Sequence, residues 1–175
     1  MPVRQIPNVL TTLRLLAVPV FAALMISADG GTSPAAAVVF AFAAVTDFLD
    51  GELSRRFHAH SRYGRVLDPI ADRLLIDVAV VLLWWDDRVP VVLTLIVLAR
   101  DAILLFSLLF GRGRTLGIRV NVAGKAGTLV TMIGLLLALV TPRGAVATQI
   151  VLWSGVALLL LGGLIYARTL RRHRA

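Results

Sequence analysis

TDFLDGELSRRFHAHSRYGRVLDPIADRLL, residues 46–75, sets Asp47, Asp50, Asp68 and Asp72 into a chain that otherwise reads as lipid-soluble protein. Of 175 residues 58% are apolar, and the mean hydropathy is +0.87, against about 45–50% apolar residues in an ordinary soluble domain. The apolar residues fall in six blocks, about 9–27, 34–53, 66–85, 89–110, 121–141 and 145–167. As helices, blocks of this length cross about 30 Å of hydrocarbon. The expected fold is an all-α integral membrane protein with six transmembrane helices in a single domain, residues 1–175. The four aspartates then stand where the second span ends and the third begins.

The breaks between blocks carry turn chemistry: Asp29-Gly30-Gly31 before Pro34, Asp86-Asp87-Arg88 before Pro90, Gly111-Arg112-Gly113, and Pro142-Arg143-Gly144. Residues 1–27 read as the first span rather than a cleaved leader, because Arg14 interrupts the apolar run. There is no cysteine, so disulfides and thiolate metal sites are excluded. With a cytoplasmic N-terminus, one side of the membrane collects Arg4, the arginines at 55, 56, 62 and 65, those at 112, 114 and 119, Lys125, and the arginines of the 168–174 tail. The other side receives only Arg88 and Arg143, so the basic residues place both termini in the cytoplasm. The net charge of +8 is accounted for by this topology and by contact with anionic headgroups. Nothing reads as a nucleic-acid module.

Asp47 and Asp50 are spaced i,i+3, Asp68 and Asp72 i,i+4, so each pair shares a helix face. A short connection makes the second and third helices expected antiparallel neighbours, which gathers four carboxylates in one cavity inside the cytoplasmic membrane surface. Ionised carboxylates at low dielectric need cations, and too few basic residues lie at that depth to neutralise them. Oxygen-only ligands point to a hard divalent cation, Mg²⁺ or Mn²⁺. Carboxylates merely meeting headgroup amines would explain neither the spacing nor the clustering. Gly51 permits close approach of a ligand, Arg55 one turn further on can pair with phosphate, and Gly64 precedes Asp68 by four residues. Metal, arginine and small residues together suit chemistry at a phosphate ester.

These residues resemble the signature of the CDP-alcohol phosphatidyltransferases, DxxDGxxAR followed after eight residues by GxxxDxxxD, matched by Asp47, Asp50-Gly51, Arg55, Gly64, Asp68 and Asp72. Ser54 stands where that family usually has alanine, a small-for-small exchange. The resemblance implies six spans with cytoplasmic termini, a homodimer, and a site facing the cytoplasm of a bacterial cell (inner) membrane. It implies two divalent cations, Mg²⁺ or Mn²⁺, held by Asp47, Asp50 and Asp68 with Asp72 close to the second. Thr46, Gly51 and Gly64 would line the nucleotide pocket, and Arg55 would help to grip the pyrophosphate of CDP-diacylglycerol. Asp72 would take the proton from the attacking hydroxyl.

The opening IPNVLTTLRLLAVP resembles the branch that makes phosphatidylglycerophosphate and cardiolipin. Phosphatidylglycerophosphate synthases usually carry an ARE segment with a later arginine, then GKxKT, which supplies cations for glycerol 3-phosphate. Here LARDAILLFSLLF has Asp101 after Arg100 and no later arginine, and GKAGT keeps Lys125 but has Gly127 for the second lysine. Both segments resemble those of CMP-forming cardiolipin synthases, whose acceptor is phosphatidylglycerol. Arg100 and Lys125 are the expected acceptor contacts. Glycerol 3-phosphate remains the alternative acceptor, since Arg112, Arg114 or Arg119 could restore the missing charge. A divalent-cation transporter would place its carboxylates nearer the bilayer midplane, and a non-catalytic lipid-binding protein would not need all four.

Other polar residues have simpler expected roles. His58 and His60 belong to a solvated basic loop, His173 to a basic tail, Trp84 and Trp85 to an interfacial aromatic belt, and Trp153 to packing or a lipid-facing surface. Arg14 either has a function or snorkels to the interface. Arg73 is expected to be satisfied by Asp77, one turn along its own helix.

Overall fold

Ser33 and Pro34 start the second helix by two separate devices. The Ser33 Oγ accepts the Ala36 N–H at 3.3 Å, and Pro34, with no N–H to lose, occupies the first helical position. The computed structural model describes the backbone of residues 6–28, 32–57, 64–110 and 122–172, and the side chains of 12–28, 32–46, 73–106 and 122–165. These residues hold six helices and no strand: α1 (Ile6–Ser27), α2 (Pro34–Phe57), α3 (Gly64–Trp85), α4 (Val91–Phe110), α5 (Val122–Val140) and α6 (Val146–Arg172). Each helix lies on one of the six apolar blocks. α1, α2, α3 and α6 extend past theirs, because helical hydrogen bonding continues through polar turns that hydropathy does not register.

Within the described residues, α5 and the Val146–Ile165 part of α6 are long and apolar enough to cross a membrane, and Thr12–Ser27 and Pro34–Thr46 are shorter apolar runs. The core is built from Phe21, Phe40, Leu83, Leu93, Leu135, Leu139 and Leu152, all fully buried. Phe21 and Phe40 join α1 to α2 with ring centroids 5.9 Å apart. Leu16, Ile26, Val38, Phe42, Ile103 and Phe106 are exposed, so α1, α2 and α4 present apolar side chains outward.

α5 and α6 form the most extensive helix pair. A Cβ on Gly155 would lie 2.7 Å from the Thr131 backbone nitrogen, and one on Gly134 would lie 2.7 Å from Leu152 Cδ2. Glycines at these positions let the two backbones approach, which is how helices associate where hydrophobic burial offers little.

Among the described residues α2 and α3 do not form a close pair. Each packs instead on α1 and on α5. Over the described length α2 and α3 thus stand with α1 and α5 between them, while the ends expected to be direct neighbours, which carry the aspartates, lie outside the described residues. A short connection limits the distance between two helix ends, and it does not dictate which faces meet.

Three connections meet at one end of the bundle. The Ser33 N–H, between α1 and α2, donates to the Leu139 carbonyl of α5 at 2.9 Å. Arg88, between α3 and α4, is 5% exposed and donates from Nη1 to the Ala138 and Thr141 carbonyls at 3.1 and 2.8 Å. Its Nε pairs with Asp86, which Arg143 also contacts from the α5–α6 connection. Gln149 closes the set by donating to the Arg88 carbonyl at 3.0 Å. The ends of α2 and α4 and the starts of α3 and α5 therefore lie at the opposite end. Arg14 is 2% exposed inside the bundle, which rules out snorkelling as its account.

Burial opposes ionisation of Asp86, but hydrogen bonds from Arg88 and Arg143 outweigh it and hold the carboxyl below its ordinary value of 3.8. The associated stability is fully present above pH 3.8 and is lost as pH falls through the lower folded value. Asp86→Asn is expected to cost about 1–3 kcal/mol at pH 7 and to flatten the acid dependence. Thermal unfolding of both proteins at pH 7 and pH 3 checks this, and parallel acid profiles would refute it.

Candidate active site

α2 runs unbroken to Phe57 and α3 starts at Gly64, so helical rise gives the depth of each aspartate backbone from that end. At 1.5 Å per residue Asp50 and Asp68 lie about 10 and 6 Å in, Asp47 and Asp72 about 15 and 12 Å. All four aspartate positions thus lie within about 15 Å of the α2 end or the α3 start along their own helices. Their side chains lie outside the described residues, as does that of Arg55. Among the described residues no group of three His, Asp or Glu side chains gathers as a metal site. Thr46, next to Asp47, is half-buried and donates its hydroxyl to the Ala43 carbonyl at 2.8 Å.

Immediately after Asp72 the side chains are described, and they form a polar network across three helices. Arg73 of α3 pairs through Nη1 with Oδ1 of Asp101 on α4. Arg100 reaches the same oxygen through its own Nη1 and donates from Nη2 to Thr128 Oγ1 of α5 at 3.2 Å. The Thr128 hydroxyl in turn donates to the Gly124 carbonyl at 3.0 Å. Lys125, the residue after Gly124, is exposed. The LARD and GKAGT segments, 28 residues apart at Arg100 and Thr128, therefore meet beside α3.

Two expectations change here. Arg73 is satisfied by Asp101 and not by Asp77, whose Oδ1 is buried without a hydrogen-bond partner. Spacing along one helix identifies the neighbour that is always near, but a carboxylate presented by a packed partner helix offers better geometry. Gly127 also has a reason other than a missing phosphate contact. A Cβ there would lie 2.6 Å from the Leu159 backbone nitrogen, so position 127 faces α6 and has no room for a side chain. Asp101 and Thr128 were the members of this network least visible in sequence. The only signal for Asp101 was an acid placed mid-span beside an arginine.

With this geometry in hand, comparison with known proteins is specific. A profile of the CDP-alcohol phosphatidyltransferases matches residues 4–161. The chain belongs to the CDP-alcohol phosphatidyltransferase family. It is 42% identical over 136 residues to a CMP-forming cardiolipin synthase of Streptomyces coelicolor, covering 74% of this chain and 62% of that protein. It is 26% identical over 176 residues to a CDP-diacylglycerol–glycerol-3-phosphate 3-phosphatidyltransferase of Rickettsia felis, covering 97% of each. A Pseudomonas fluorescens protein of the latter name is 48% identical over 79 residues, 45% of this chain and 40% of its own length. The family serves phospholipid biosynthesis, and relatives of both names occur within it.

The α5–α6 contact yields a test. Gly127→Ala is expected to destabilise the protein by about 1–3 kcal/mol, because backbone must move to admit the methyl group. Gly124→Ala, where an added Cβ meets nothing within 4 Å, is the control and should be neutral or mildly stabilising. Thermal unfolding in one detergent compares them, and equal effects would exclude a packing role for Gly127.

Proposed function

We propose that this protein is a metal-dependent phosphatidyltransferase that moves the phosphatidyl group of CDP-diacylglycerol onto phosphatidylglycerol, giving cardiolipin and CMP. The observation that carries the acceptor choice is the meeting of Arg100 and Thr128, with position 127 turned into α6. That arrangement offers a cationic contact but leaves no place for the second lysine of a GKxKT element. The 42% identity to the Streptomyces protein supports the same choice. Glycerol 3-phosphate is the second reading, favoured by the full-length match to the Rickettsia protein.

In this reading residues 1–175 form one membrane domain whose six helices all span, both termini are cytoplasmic, and the chain works as a homodimer. The gathering of three connections at one end of the bundle supports the up-and-down course. It leaves the aspartates at the end where the basic segments 55–65 and 112–125 lie. That end faces the cytoplasm of a bacterial inner membrane.

Asp47, Asp50, Asp68 and Asp72 have the chemistry to hold two Mg²⁺ or Mn²⁺ ions: oxygen donors only, near the facing ends of two consecutive helices. Bound there, the ions would neutralise the pyrophosphate and ease departure of CMP. Arg55 binds the pyrophosphate, while Thr46, Gly51 and Gly64 border the nucleotide. Asp72 accepts the proton of the terminal glycerol hydroxyl. That oxygen bonds to the phosphorus carrying diacylglycerol, the bond from this phosphorus to the bridging oxygen breaks, and CMP leaves with the oxygen. Arg100 and Lys125 hold the acceptor.

The test is CMP release by the purified chain in detergent with CDP-diacylglycerol and Mg²⁺ or Mn²⁺, offered phosphatidylglycerol or glycerol 3-phosphate. Turnover with phosphatidylglycerol alone is expected, and turnover with glycerol 3-phosphate alone would overturn the acceptor. Asp72→Asn is expected to lower the rate by about 10²–10⁴-fold while CDP-diacylglycerol still binds. An unchanged rate would remove Asp72 from the role of base.

A further inference from the structure

We infer that Asp101 is a positioning residue: from beneath, its buried carboxylate ties Arg73 and Arg100 into one cationic fork that receives the phosphate of a glycerol-phosphate acceptor. This rests on the phosphatidyltransferase reading above and adds two residues, Arg73 and Asp101, that the signature does not include.

Burial within the cluster is uneven. The Asp101 side chain is 3% exposed, whereas those of Arg73 and Arg100 are 28% and 26% exposed. The acid is hidden and both cations are reachable. Both guanidiniums share one oxygen of that acid, an arrangement that holds two like charges close together and is relieved when an anion joins them. Among the described residues Arg73 commits only Nη1, and Arg100 commits Nη1 and Nη2. A guanidinium carries five N–H donors, so each retains some for a phosphate oxygen. Asp77 lies near Arg73 and Arg100 and shares a side-chain hydrogen bond with Asp101, but among the described residues the ion pairs of both arginines go to Asp101. The placement also fits the reaction. Arg73 follows Asp72 directly on α3, and Arg100 is braced by Thr128 three residues from exposed Lys125. An acceptor phosphate on this fork lies beside the helix that carries the proposed base. Phosphatidylglycerol and glycerol 3-phosphate both present a glycerol phosphate, so either would use it.

The test compares the full-length protein with Asp101→Asn, Asp101→Glu, Arg100→Gln and the Asp101→Asn/Arg100→Gln double variant, measuring KM for each substrate and thermal unfolding. Asp101→Asn is expected to raise the acceptor KM about tenfold or more, with the CDP-diacylglycerol KM changed less than about twofold. Asp101→Glu should recover most of the loss, and the double variant should be little worse than either single one. A lower unfolding temperature with unchanged acceptor KM, equal shifts in both KM values, or independent multiplication in the double variant would each overturn the inference. If Asp101→Asn does not fold, Arg73→Gln replaces it, and an unchanged acceptor KM then overturns it. Turnover with glycerol 3-phosphate alone, accompanied by the same split, sustains the fork and corrects only the acceptor. If the parent releases CMP with neither acceptor, the enzymatic reading fails. The fork is then judged by the rise in unfolding temperature that phosphatidylglycerol or glycerol 3-phosphate gives the parent: its loss in Asp101→Asn sustains the fork, and its persistence or its absence from the parent overturns it.

Discussion

An ionised side chain inside an apolar helix bundle has little water to turn to, so its partner must come from another helix or from a bound ion. Arg88 meets this requirement with Asp86 and two carbonyls at the far end of α5. Arg73 and Arg100 meet it by sharing Asp101. In both cases the compensation joins elements distant in sequence, so satisfying the charge also fixes how helices sit against one another. At one end it brings together the connections that close the bundle, and nearer the other it joins α3, α4 and α5 just beyond Asp72.

The proposed metal cage is the same requirement with the sign reversed. Four carboxylates on α2 and α3 exceed what the described arginines offer, since Arg73 and Arg100 are committed to Asp101. Over their described length α2 and α3 stand with α1 and α5 as walls between them, an arrangement that, continued to the aspartates, would suit such a site better than direct contact. Two helices packed face to face leave little room between them, whereas a diagonal pair can border a space wide enough for a nucleotide diphosphate. The close approach of α5 to α6 keeps one of those walls backed by a second helix.

The six helices were legible from sequence, because long apolar blocks bounded by turn residues read as helices. The six blocks, the turns between them and the aspartate pairs followed from residue spacing alone. Partner choice between helices did not. Asp77 was the obvious mate for Arg73 because a helix guarantees its i,i+4 neighbour, yet nothing in one sequence shows which way α4 turns Asp101. Gly127 was ambiguous in the same way. A glycine at the place of the second lysine of a GKxKT pattern reads as a lost charge until the Leu159 backbone is seen against it.

That last point bears on how acceptor choice could be built into the fold. If charge at position 127 were the only difference between branches, one substitution would exchange one acceptor for the other. Here the position is closed by the approach of α6, so opening it would require the α5–α6 pair to separate. In the proposed reading, acceptor preference would then be a property of helix packing as much as of charge. In that reading the groups that would meet a phosphate are Arg73 and Arg100, joined by Asp101, and exposed Lys125, one turn before Thr128 on α5. Such a set grips one phosphate while leaving its glycerol end directed by the surrounding helices. This suits an acceptor anchored in the membrane by its own acyl chains, for which the protein need supply only orientation and not capture from solution.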